Sequence, residues 1–99
     1  MNILSRELDR ELYQAHKEWL RAGGKGAGRL VVDGKSLIGF VASALDLRGA
    51  KFIDCNLTKS NLSNCHLHQA ELLGCDVSKS NLHMATLNGA EVIGSDFST

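Results

Sequence analysis

From Val32 onward an apolar residue returns every five positions: Val32, Leu37, Ala42, Leu47, Phe52, Leu57, Leu62, Leu67, Leu72, Val77, Leu82, Leu87, Val92 and Phe97. Five matches neither the 3.6-residue period of a helix nor the two-residue period of a strand. From Ala50 the residue two places before each of these centres is always small: Ala50, Cys55, Ser60, Cys65, Ala70, Cys75, Ser80, Ala85, Ala90 and Ser95. The residue just before a centre is mostly Asn, Asp or Glu, and the one two after it is often Gly. A fixed period held this long specifies a repeating backbone unit.

The first part of the chain follows a different rule. Residues 4 to about 21 place Leu4, Leu8, Leu12, Ala15 and Trp19 at helical steps of three and four, with most of the charge off that stripe. The pattern predicts an amphipathic helix stopped by the glycines of "AGGKGAG" at 22–28. Two segments follow: a helix with a Gly-rich linker at 1–29, and a repeat at 30–99.

Within the repeat, units such as "CNLTK", "SNLSN", "AELLG", "SNLHM" and "AEVIG" resemble the A(D/N)LXX signature of pentapeptide-repeat proteins, over about 70 of the 99 residues. "AHKEWLRAGGKG" resembles the short helix that leads into some members. The resemblance implies a right-handed, four-sided β-helix with four units per coil, here about three and a half coils, in a bacterial-type cytosolic protein.

Residue chemistry points the same way. A turn every five residues accounts for the load of Gly, Asn, Asp and Ser. One large and one small inward residue per side fill a narrow tube, which two large ones would overpack. Residues twenty apart then sit one above another, and the rod is on the order of 17 Å long at a strand spacing of about 4.8 Å. The pattern is broken in the first coil, where Leu30, Lys35, Phe40 and Leu45 occupy the small position and Ala42 is an undersized centre. The helix is expected to plug that end through Leu8, Leu12, Trp19 and Leu20. Val92 and Phe97 are expected to form an end-to-end homodimer contact at the other end.

Composition and charge narrow the function. Net charge is zero: residues 1–29 carry +2 and residues 30–99 carry −2. Neither part has the basic excess that nucleic-acid binding requires. Three cysteines ten apart, Cys55, Cys65 and Cys75, fit neither a CxxC zinc site nor an even disulfide set, and read as buried reduced thiols. The N-terminus lacks a signal peptide's pattern and no apolar run reaches membrane-spanning length, so a soluble, cytoplasmic protein without cofactor is expected.

Outward positions carry the remaining candidates. Ile53, Leu73 and Ile93 follow their centres at one-coil spacing and form an apolar stripe, edged by Lys51, Glu71 and Glu91. An aligned stripe on a solvated tube suggests a protein-binding surface. Asp46, His66 and His68 could group as a two-His, one-carboxylate metal site, but without a shielding cavity solvated histidines are the better reading. Lys59 and Lys79 are expected beside Asp76 and Asp96 as an ion-pair ladder, and Asn56, Asn61 and Asn81 are expected to bond local backbone. No nucleophile–base set or phosphate loop is present, so the sequence reads as a non-catalytic interaction or scaffold module. Two alternatives stand beside it. The family resemblance implies DNA mimicry toward gyrase, with fluoroquinolone tolerance. The chain could also be the capped N-terminal part of a longer repeat protein.

Overall fold

The computed structural model describes residues 10–95. Helix α1 spans Arg10–Arg21, and three short strands follow: β1 at Val31–Asp33, β2 at Lys51–Ile53 and β3 at Glu71–Leu73. The strands form one parallel sheet in the order β1-β2-β3, with Val32 opposite Phe52 and Phe52 opposite Leu72. Isolated parallel bridges join Ser36 to Asn56, Val41 to Asn61, Asp46 to His66 and Asn56 to Asp76 on the other walls. Every one of these pairs is twenty residues apart. Four pentapeptides therefore make one coil, and the fold is a β-helical solenoid.

The turn that closes each side is as regular as the centres. Backbone φ is positive at every position two after a centre, from Gly34 through Ala44, Asp54, Lys59, Asn64, Gln69, Lys79 and Met84 to Gly94. The third residue after a centre commonly donates back to the centre's carbonyl, as in Ser60 N to Leu57 O at 3.3 Å and Cys65 N to Leu62 O at 3.2 Å. Positive φ at only the third of four residues is the signature of a type II turn, which explains the glycine preference. Seven of these positions carry side chains, each held in a conformation that L-residues disfavour. The coil-to-coil ladder stabilises those seven turns.

Centres and small positions both face inward. Leu37, Leu47, Phe52, Leu57, Leu67 and Leu72 are buried, and so are Ala50, Cys55, Ser60, Cys65, Ala70 and Cys75. The irregular first coil is packed as well, with Leu30, Phe40, Ala42 and Leu45 all buried. Phe40 and Ala42 exchange volumes within their unit, so the side still holds one large and one small residue. Lys35 turns out to solvent, while Leu30 with Val32 and Leu45 with Leu47 place two large residues on one side. Burial fades toward the last coil: Leu82 is half-buried, while Leu87 and Val92 are exposed.

Small polar side chains inside the tube bond along it. Ser60, Ser80 and Ser95 donate to Leu37 O, Leu57 O and Leu72 O in the neighbouring coil, at 3.5, 2.8 and 2.7 Å. Cys55 and Cys75 repeat this toward Val32 O and Phe52 O, each at 3.3 Å. Cys55, Cys75 and Ser95 thus stack along one side, as expected, and all three cysteines are free and buried. Burial holds the Cys65 thiol up at about 12. The neighbouring Cys55 thiol, then burial, raises Cys75 as well.

Helix α1 ends in a Schellman motif. Gly24 N donates to Trp19 O at 2.9 Å and Gly23 N to Leu20 O at 3.0 Å, with Gly23 left-handed. The linker then turns back along the helix. At Gly28 an added Cβ would lie 2.8 Å from the Ala15 carbonyl oxygen, so only glycine allows this return.

Candidate interaction surfaces

Two surfaces differ from a plain solvated tube: the junction of α1 with the first coil, and the wall carrying the sheet. The junction follows from the ladder. In each coil, the N–H before a centre donates to the coil beneath, as Asn61 N does to Phe40 O at 2.8 Å. The carbonyl after a centre accepts from the coil beneath, as Thr58 O does from Gly39 N at 3.0 Å. The first coil has no coil beneath it, and buried backbone groups left unpaired are costly.

Side chains of α1 take the missing coil's place. Tyr13 Oη accepts from Asp46 N–H at 3.0 Å, a donor that faces down. His16 Nε2 lies 3.0 Å from Arg48 O, a carbonyl that faces down. Leu30 N–H, where the linker enters the coil, donates to His16 Nδ1 at 2.9 Å. Nδ1 must therefore be bare and Nε2 protonated, so the imidazole is neutral. Its titration is lowered from the usual 6.5, chiefly by burial, although the bond to Arg48 O and the Asp46 charge oppose that. Trp19 stacks on His16 with ring centroids 5.4 Å apart, and an added Cβ at Gly49 would lie 3.1 Å from its ring.

This changes the expected helix face. Leu8 lies outside the described residues. Leu12 is 47% exposed and does not bury as expected. Trp19 and Leu20 are half-buried, and His16 is fully buried. The docking stripe is Tyr13, His16 and Trp19–Leu20. The physical reason is that the surface to be covered offers unpaired N–H and C=O groups, which an aliphatic side chain cannot satisfy. A signal was present in the sequence, because Tyr13, His16 and Leu20 also follow steps of three and four.

On the sheet wall, Ile53 pairs with Leu73, and Gly74 N donates to Ile93 O at 2.8 Å. The three aliphatics therefore form one outward column at one-coil spacing. Ile53 and Leu73 are half-buried, while Ile93 is 67% exposed. The column is flanked by Lys51 Nζ at 3.7 Å from Glu71 Oε1, with Arg29 at 3.3 Å from the same carboxylate, and by Glu91 in register with Glu71.

The remaining polar positions sort differently. Asp46 is held by Arg48 through both oxygens, at 2.8 and 2.7 Å, and that contact lowers its pKa. His66 and His68 stack at 6.3 Å beside it, around an open depression of about 440 Å³. With the carboxylate so engaged, the three side chains do not form the metal grouping considered from sequence. Among the described residues no cluster of three or more His, Cys, Asp or Glu converges as a metal site. Asn56 accepts from Thr58 N and Oγ1 at 3.1 and 2.8 Å, and Asn61 accepts from Ser63 N and Oγ at 3.1 and 2.7 Å. Asn81 accepts from His83 N at 3.0 Å, so the three asparagines do bond local backbone. Asp76 bonds Ser78 in the same way, and the described salt bridges do not include Lys59 or Lys79; the expected ladder is absent among the described residues. Asp96 and Phe97 lie outside the described residues.

A twenty-residue parallel register, a left-handed turn every five residues and paired large and small inward residues define a β-helical repeat protein. The family model for pentapeptide repeats matches this chain in eight copies, over residues 46–83 and 60–98, together more than half its length. The chain belongs to the pentapeptide-repeat family. It is also similar to a pentapeptide repeat protein from the Arabidopsis thaliana thylakoid lumen, with 18% identity and a TM-score of 0.24, over 67% of this chain and 63% of that one. The chain thus spans less than two thirds of that protein. No curated protein matches it. Among the described residues no helix is long and apolar enough to cross a membrane.

Proposed function

We propose that the protein is a non-catalytic interaction or scaffold module of the cytoplasm: a right-handed β-helix of about three and a half coils at residues 30–99, closed at one end by a helix and linker at 1–29. Its partner surface is the sheet wall carrying Ile53, Leu73 and Ile93, with Lys51, Glu71 and Glu91 setting the register of a protein docked there. The observation that carries this reading is the outward column of three large aliphatics at one-coil spacing. Water-facing positions of a solenoid are free to be polar, and most of the others here are. Burying the exposed part of such a column contributes roughly 25 cal/mol per Å² of apolar surface covered. DNA mimicry is less well supported, because Lys51 and Arg29 both neutralise Glu71 on this wall.

The test is association of the wild type against Ile53→Ser/Leu73→Ser/Ile93→Lys, by affinity capture and sedimentation. The variant is expected to keep the wild-type circular dichroism and lose its partner. Equal capture by both proteins would remove the wall from consideration.

A second contact is supported by the exposed centres Leu87 and Val92, the same residue class that is buried in earlier coils. Two copies meeting end to end through that coil would bury them. Val92→Lys is expected to shift a dimer to monomer in sedimentation equilibrium without affecting capture by the stripe. A wild-type protein that is monomeric at high concentration would refute this contact.

A further inference from the structure

The neutral, fully buried His16 is the one titratable side chain among the described residues that bridges α1 to the solenoid through both of its polar atoms. We propose that His16 is an acid-operated latch: its protonation releases α1 from the first coil and uncovers that coil's unpaired backbone edge.

The geometry admits only the neutral ring. Leu30 N–H points at Nδ1, so a proton added there would face another proton, and the cation would be enclosed without a new acceptor. Among the described residues, the charged groups around it do not rescue the cation. Asp46 favours it, but that carboxylate is bound through both oxygens by Arg48. Arg29 and Arg48 both disfavour it, and Trp19 covers the ring face. The twelve described residues of α1 are of a length that is marginal for an isolated helix in water. Undocking is therefore expected to loosen these described turns of α1 as well. It leaves Leu30 N–H, Asp46 N–H and Arg48 C=O without partners on an open β edge.

The sign follows from linkage. The docked ring titrates below 6.5 and the released ring near 6.5. Docking is thus fully favoured above 6.5, and falls by up to about tenfold per pH unit below it until the docked value is passed. The latch is independent of which partner occupies the sheet wall.

Trp19 is the only tryptophan and lies in the junction, so its emission reports docking directly. Emission and ellipticity at 222 nm would be followed together from about pH 8 to about pH 5, a window above ordinary carboxylate titration. The expected result is one coincident transition with a midpoint below 6.5, retained in His66→Gln/His68→Gln/His83→Gln. In His16→Gln, where the amide supplies one donor and one acceptor without titrating, the pH dependence is expected to vanish. It would vanish equally if that variant were released at every pH. A flat wild-type signal, a transition lost in the triple variant, or one persisting in His16→Gln would each overturn the latch.

Discussion

The rule of one large and one small residue per side can be tested where the chain inverts it. Phe40 occupies the position that is small elsewhere and is 1% exposed, while Ala42 occupies a centre and is 0% exposed. Phe40→Ala alone leaves a cavity that the neighbouring coil cannot fill, and should cost about 3–5 kcal/mol. Ala42→Leu alone adds a second large side chain to a filled side, and should cost about 1–3 kcal/mol through overpacking. If the two sites were independent, the double variant would lose about 4–8 kcal/mol. That approaches the whole stability of about 5–15 kcal/mol expected of a domain this size. The packing rule predicts otherwise. Phe40→Ala/Ala42→Leu restores the arrangement of Ala70 and Leu72, so it should lie within about 2 kcal/mol of wild type, a coupling of at least about 2 kcal/mol. Urea unfolding monitored at 222 nm supplies the midpoint and slope for all four proteins. Should Phe40→Ala fail to fold, recovery of a cooperative transition in the double variant is itself the rescue. Additive losses would refute the idea that the Phe40–Ala42 side is packed as a unit of constant volume.

Three further outcomes follow from other features. At the turns, Gly74→Ala places a Cβ 2.6 Å from Asp54 Oδ1 at φ +66° and should destabilise by about 1–2 kcal/mol, whereas Met84→Gly relieves a strained turn and should stabilise by up to about 1 kcal/mol; urea midpoints moving in the same direction would contradict the turn assignment. Cys65, fully buried with its thiol pushed up to about 12, should resist a thiol reagent at neutral pH in the native protein and react at once in guanidinium, as read by labelling mass spectrometry. Asp46 titrates below its ordinary 3.8 because Arg48 bonds it, so its contribution is present above 3.8 and is lost as pH falls through the lower folded value; Asp46→Asn should flatten the stability profile in that acid range, with its small loss of stability seen at neutral pH and disappearing in acid.

How much was legible in advance depends on whether a feature is local. Asn61 before Leu62 and the bond it makes to Ser63 repeat in Asn56 and Asp76, so the unit could be read from five residues. The stripe of Ile53, Leu73 and Ile93 needed only the spacing of twenty. Lys59 and Lys79 occupy left-handed turn positions and pair with no described carboxylate, while Asp96, part of the expected ladder, lies outside the described residues. The Asp46, His66 and His68 grouping was close in space as expected, but Arg48, two residues away, had already claimed the carboxylate.

The amino-acid order alone settled the period and the inward residues, since both repeat within a short stretch of chain; the pairing of residues twenty apart came with the resemblance to pentapeptide-repeat proteins. The face of α1 that meets the solenoid was decided only by the assembled tertiary structure. A first coil with nothing beneath it presents N–H and C=O groups from residues far apart in sequence, and Tyr13 and His16 dock because they can bond them, where Leu12 cannot. Hydrophobic periodicity records which residues leave water; it contains no account of which backbone groups are left without a partner.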